Sequence, residues 1–390
     1  MKSSPSSRRG RGSREADLIV ELAEGLAQSG SRVEDIFWTK KLNDEIQKNL
    51  KSSDETTLNT ALDRLAERES RAYEELADAI EGNVEHQTIG DQKELQKDVL
   101  LFAVPILAWS RMLLPTKTLT RSQLERIKKS LIGNIFNKNT DVSLADFFYS
   151  PDQLPESFGE TKDLMTKLTE CLPKNNLKID SSLLNQTAKF LADQRYILGI
   201  ASVPKGEPIF LWQSGPETRD EVNAIWKKVG KNLLNDLLPA CAYELILPRA
   251  YYVACRDADK SARKFSITAS VSYLSTLLTT SANLLSVVVG GCYNRQLEEY
   301  RISFFSDTSV EAIHGVIWPL LGAEDEMSDI VEEIEHSLRD SGVERVEILS
   351  QRLPMEYCEE CGSPLYPNHD GEMTHTELPA PEEGSSQNLH

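Results

Sequence analysis

The chain has 390 residues, 40% hydrophobic and 27% charged, with a formal net charge of −18 at pH 7. Such a composition belongs to a globular protein large enough for two or three domains. Its acidity weighs against nucleic-acid and anionic-membrane partners, most of all toward the C-terminus, where residues 322–390 hold 18 Asp and Glu against three Arg and no Lys.

Residues 1–14 carry five basic residues and no acid among Ser, Gly and Pro, which predicts a disordered basic tail. It lacks the apolar core of an export signal, and no apolar run is long enough to span a bilayer; a cytoplasmic protein is expected. Residues 15–95 read as a helical domain, with Leu18, Leu22, Leu26 and then Ile36, Leu42, Ile46 and Leu50 at helical spacing.

A first α/β unit is expected over 96–240. Its elements are a strand at 99–109 that ends or bends at Pro105, a helix at 121–136, a strand at 142–149 and helices at 157–172 and 181–193. A hairpin of 196–203 with 208–212 and a helix at 219–238 complete it. The second unit, 241–352, reads as strand 242–254, helix 261–279, strands at 284–289, 297–305 and 313–320, a helix from Ser328 to about 339, and strand 343–349. In the 297–305 strand Tyr300, Ile302 and Phe304 alternate with Glu299, Arg301 and Ser303, so one face is apolar and the other polar. The order β-α-β-β-β-α-β fits a ferredoxin-like sandwich with an extra strand. The fold class is therefore α+β: an N-terminal helical segment, two α/β units and a C-terminal zinc-knuckle hairpin.

That hairpin, within 353–390, contains Cys358-Glu-Glu-Cys361-Gly362. Two thiolates two residues apart grip one Zn²⁺ as a bite pair, and Gly362 permits the tight turn around sulfur. Asn368-His369-Asp370-Gly371 is a turn signal, and a hairpin closed there sets His375 opposite Pro364, beside Cys361. His369 falls at the tip, roughly 15 Å away at about 3.3 Å per residue. The expected ligands are Cys358, Cys361 and His375, and the fourth is open: His390 can return on its tether, Glu377 is a poorer candidate, and a water is a further option. Zinc is expected to be structural, because a short Pro-rich tail with few apolar residues needs a metal to fold. A redox dithiol and two plain cysteines are the alternatives.

Other signals carry less. Glu333-x-x-His336 has di-iron spacing but no second copy, and reads as a solvated helix face. Gly290-Gly291 reads as a tight turn after a buried strand rather than a phosphate loop. Cys255 beside Arg256 at a strand end is a conceivable nucleophile, with His314 the nearest base by topology.

Taken together, Gly30-Ser-Arg32-Val-Glu34-Asp35-x-Phe37-Trp38, Pro105-Ile-Leu-Ala-Trp109, Tyr251-Tyr-Val-Ala-Cys255-Arg256, Trp318-Pro319-Leu and Cys358-x-x-Cys361-Gly-x-Pro-Leu-Tyr-Pro367 resemble the proteobacterial family of unknown function DUF2863. The resemblance spans about residues 17–379. It implies a soluble bacterial protein in which the tail is integral, favours His375 as a ligand through the stretch Gly371-Glu-x-x-His375, and implies no activity or catalytic residue. The expected function is binding or regulation, through a protein partner or a small ligand. An enzyme working from a cleft between the α/β units through Cys255 is the alternative, and a zinc-knuckle nucleic-acid binder comes third.

Overall fold

Apolar residues three and four apart bury one stripe of a helix, and the N-terminal part of the chain is built on that rule. The computed structural model describes residues 6–52, 55–68, 70–92, 95–110, 114–172, 176–187, 192–306, 311–322 and 324–377, apart from the side chains of 6–13 and 192. Four helices come first: α1 (Ser6–Ala27), α2 (Arg32–Lys51), α3 (Thr56–Ala66) and α4 (Ala72–Glu85). Because α1 begins at Ser6, residues 6–14 are helical where disorder was expected; a helix nucleated by the apolar stretch behind them extends at low cost. The buried stripe also differs from the expected one. Ile19, Ala16 and Ala23 are fully buried, whereas Leu18 is 40% and Ile36 61% exposed. Alanines on the stripe let the helices approach closely, and Gly25 lies flat against the Trp38 indole, where a Cβ would sit only 2.9 Å from the ring.

The chain divides into two units, residues 1–256 and 257–390. In the first, α4 runs directly into β1 (His86–Ile89), which pairs with β2 (Lys97–Trp109), so the helices and the first sheet belong together. There follow β3 (Lys117–Thr118), α5 (Arg121–Asn134), β4 (Asp141–Leu144), β5 (Phe147–Phe148), α6 (Phe158–Glu170), β6 (Ala192–Pro204), α7 (Arg219–Leu233), β7 (Ala242–Leu245) and β8 (Arg249–Ala250). The sheet is centred on β2 and β6, antiparallel from Lys97↔Pro204 to Trp109↔Ala192. On the far side of β6 lies β4, while β1, β8 and β7 share the other edge of β2. Phe102, Ile127, Leu131, Phe136 and Trp226 pack the core between this sheet and α5 and α7.

Five expectations for this unit are corrected. Strand β2 continues through Pro105, because Tyr196 opposite it exchanges both backbone bonds with Tyr149 instead. No N–H is required of Pro105 on that side, and on the other edge the partner is broken between β8 and β7. The strand at 142–149 is split into β4 and β5. The helix at 181–193 is absent among the described residues: Ser181–Leu183 is one 3-10 turn, β6 already runs from Ala192, and 188–191 lie outside the described residues. The turn after β6 forms, with Glu207 N donating to Pro204 O at 3.0 Å, but 208–212 does not return along β6; Phe210 bridges to Phe136 instead. Finally, β7 and β8 pair with β2 and the chain turns helical at Tyr251, so 241–256 belongs to the first unit and 251–254 is not strand.

The second unit holds the remainder of α8 (Tyr251–Leu277), then β9 (Ser286–Asn294), β10 (Gln296–Phe305), β11 (His314–Pro319), α9 (Ile330–Asp340), β12 (Arg345–Ile348), β13 (Leu353–Pro354), β14 (Tyr366–Pro367) and β15 (Met373–Thr374). Its sheet has the order β11-β10-β9-β12, an antiparallel meander with β12 added parallel to β9. The unit is not ferredoxin-like, since that pattern needs a helix between its first two strands, and the strand expected before α8 lies in the other sheet. Helices α8 and α9 cover one face through Ile267, Val271, Leu274, Ile334 and Leu338 against Ile302, Phe304 and Trp318.

The opposite face of this sheet is covered as well. Glu299, Arg301 and Ser303, the polar face of β10, are 9%, 0% and 0% exposed, because the chain from 353 onward lies over them. Glycines make the room: a Cβ on Gly290 would overlap Leu353 and one on Gly315 would overlap the Tyr366 ring. The pair Gly290-Gly291 therefore sits inside β9 rather than in a turn. Gly315→Val should cost about 1–3 kcal/mol by overpacking, read as a lowered urea midpoint; a midpoint like the wild type's would mean that Tyr366 does not dock there.

Candidate metal centre

Backbone bonds shape the knuckle before any metal is considered. Gly362 N donates to Cys358 O at 2.8 Å and Cys358 N to Ser363 O at 2.7 Å, which wraps the chain around the first sulfur. Gly362 has φ +71°, a left-handed conformation that glycine adopts without steric cost. Behind it β14 and β15 pair as Tyr366↔Thr374 and Pro367↔Met373. The turn holds three residues, since Asn368 N reaches Glu372 O at 2.9 Å, with Gly371 at φ +80°. The register is thus one residue from the expected one: continued along the strands, it sets His375 opposite Leu365 rather than Pro364.

His375 nevertheless reaches the cysteines. The ligand atoms of Cys358, Cys361 and His375 lie within 4.8 Å of one another, and Cys361 Sγ is 3.2 Å from His375 Nε2. Ordinary Zn–S and Zn–N lengths place tetrahedral ligands about 3.6–3.8 Å apart, so the group fits zinc with shifts of under about 1 Å. His375 Nδ1 meets Thr376 O at 3.0 Å. A carbonyl only accepts, so Nδ1 carries the proton and Nε2 is turned to the sulfurs, as an outer-shell carbonyl does for a zinc-bound imidazole.

Hydrogen bonds from the Ser363 hydroxyl and amide, then from His375 and Cys358, lower the Cys361 thiol to about 6. The same Cys361 contact raises His375. The Cys361–His375 contact thus contributes to both shifts, each group favouring the other's charged form. Iodoacetamide should alkylate Cys361 with a rate that rises through pH 6 and levels off by pH 8; a midpoint near the ordinary value of about 8.5 would contradict this geometry.

The other candidates are placed elsewhere. His390 lies outside the described residues. Glu377 is exposed, and its backbone N donates to Ala312 O at 3.0 Å. His369 Nδ1 pairs with Glu347 at 2.6 Å and its ring lies against Phe305, away from the sulfurs. Glu333 faces Arg263 and His336 faces Asp340. Cys255 is the fifth residue of α8, not at a strand end, and the Arg256 guanidinium is engaged by Glu81 at 2.6 Å, so that cation is already partnered. His314 meets Ser270 Oγ at 2.9 Å, and burial lowers its pKa to about 4, which leaves a neutral ring.

The residue that the sequence reading passed over is Arg301. Its Nη1 donates to Glu356 O and Leu365 O, both at 2.6 Å, its Nε meets Glu299 at 2.7 Å, and its guanidinium lies over the Tyr357 ring. Ser303 Oγ adds a bond to Pro367 O at 2.6 Å. The knuckle is therefore clamped on both flanks from β10. The signal was a polar strand face opposite glycines on both neighbouring strands.

A family model described as "Protein of unknown function (DUF2863)" matches residues 4–390. No curated protein and no solved structure matches the chain.

Proposed function

The chain belongs to the DUF2863 family, and we propose for it a binding or regulatory role, with a C-terminal knuckle fixed by one structural zinc ion. The convergence of Cys358, Cys361 and a correctly oriented His375 carries this reading. A structural role is favoured because the segment has almost no core of its own: between 351 and 377 only Leu353, Tyr366 and Pro367 are buried. Metal ligation and the Arg301 clamp supply what apolar burial does not.

His390 is the proposed fourth ligand; the other three are exposed or half-buried, so a further histidine can approach them from solvent. X-ray absorption at the zinc edge tests the assignment. Two sulfurs at about 2.3 Å and two nitrogens at about 2.0–2.1 Å are expected, with one nitrogen lost in His390→Ala. A spectrum of three protein ligands and one water oxygen would point to catalysis instead. The proposed partner is a protein or small ligand; the acidic C-terminal fifth disfavours nucleic acid.

A further inference from the structure

Within the first unit, α2, α4, β1 and α6 line an open cavity of about 980 Å³, at the upper end of the roughly 300–1,000 Å³ of small-molecule sites. Its wall is polar and ordered. Asn83 on α4 donates to Asn43 Oδ1 and Ala79 O, both at 2.7 Å, and accepts from Gln47 Nε2 at 3.2 Å. This chain of amides commits Asn43 through its oxygen and Gln47 through its nitrogen, leaving the Asn43 NH₂ and the Gln47 carbonyl for a ligand.

Lys162 on α6 is the informative residue. It is half-buried and donates to the carbonyls of Asn83 at 2.8 Å and His86 at 3.5 Å. Among the described residues no carboxylate pairs with it, and burial lowers its pKa. A partly desolvated ammonium held by two carbonyls has a proton left for an anion and no counter-ion to satisfy it. Three carboxylates line the same cavity: Glu75 and Asp78 on α4, and Asp163 next to Lys162 on α6.

We propose that this cavity binds a small zwitterion of the amino-acid or short-peptide class, its carboxylate on Lys162 and its ammonium toward Glu75, Asp78 and Asp163. Two lining lysines against three acids do not suit a phosphate dianion, which would be repelled by the acidic side. Apart from His86 the lining has no aromatic ring on which a base or sugar could stack. The inference deepens the binding role and rests on nothing in the zinc reading, because the cavity lies wholly in the first unit and its lining has no cysteine.

The experiment is a thermal-shift screen of the full chain against the protein amino acids and unmodified dipeptides at about 1 mM, where ligands of useful affinity register, followed by calorimetry on what binds. Glucose and inorganic phosphate are run alongside. A binder from the zwitterion set is expected, weakened about tenfold or more in Lys162→Met and as its methyl ester, since a charge-assisted bond is lost. Gly82→Leu supplies an independent variant: a Cβ there meets nothing within 4 Å, the position lines the cavity, and leucine replaces a helix-interior glycine with a better helix former. It should fold and lose binding. No binder in the zwitterion set, a binder unaffected by both variants, or binding of glucose or phosphate alone would each overturn the proposal. Retention of binding after metal is stripped, or metal retained without binding, separates this inference from the zinc reading.

Discussion

Replacing Arg301 with methionine should lower stability by about 3–5 kcal/mol, the usual cost of removing one partner of a buried ion pair. Arg301 is fully buried, so its loss strands the Glu299 carboxylate, itself only 9% exposed, without its cation. It also leaves the Glu356 and Leu365 carbonyls without the donor that pins both flanks of the knuckle. Two readings check this. Urea denaturation should show an earlier midpoint, and limited proteolysis should cut between 355 and 377 before the rest of the chain. Glu299→Gln combined with Arg301→Met should recover part of the loss, because no unpaired charge then remains. A single variant with the wild-type midpoint and an intact tail would show that the clamp contributes little.

If the proposed zinc is bound, stripping it should be the second large effect. Zinc-finger peptides gain about 10–16 kcal/mol of apparent folding energy from structural zinc at neutral pH; here the effect is smaller, since Arg301, Ser303 and Tyr366 hold the segment independently. After chelation, amides that close the knuckle should exchange at least about tenfold faster, a local loss of about 1.4 kcal/mol or more. These are Cys358 N to Ser363 O, Gly362 N to Cys358 O and Leu365 N to Glu356 O. Strands β9 and β10 should keep their protection. Cys361→Ser should reproduce the pattern without chelator. Equal protection with and without metal would mean that the clamp alone folds the knuckle.

How far the residues themselves spoke follows a physical line. Local signals were legible. Cys358-x-x-Cys361-Gly362 encodes its own turn, and a hairpin from Asn368 to Gly371 brings His375 back over a short loop. The one-residue register error came from Gly371, whose left-handed φ adds a residue to the loop, a choice between turn types that composition alone leaves open. Non-local pairing was not legible. That residues 242–250 join β2, over a hundred positions earlier, follows from the sheet edge that β2 leaves open and from nothing in their own pattern.

Alternation in β10 was legible, but what covers its polar face was not. A polar face implies water only when nothing covers it, and here Glu299, Arg301 and Ser303 form the bed for a segment with few buried apolar side chains. A tail without a core has to be bound through its backbone carbonyls, so the face that receives it must carry donors. Gly290 and Gly315, on the two strands flanking β10, bring the tail close enough for those bonds.

Elemental analysis of the purified full chain, compared with Cys358→Ser and His375→Ala, tests the central claim most directly. One zinc per chain, lost in both variants, is the predicted result, and it would make the group within 4.8 Å a metal centre. Metal-free wild-type protein that takes up no zinc when it is supplied, or zinc retained in either variant, would contradict it.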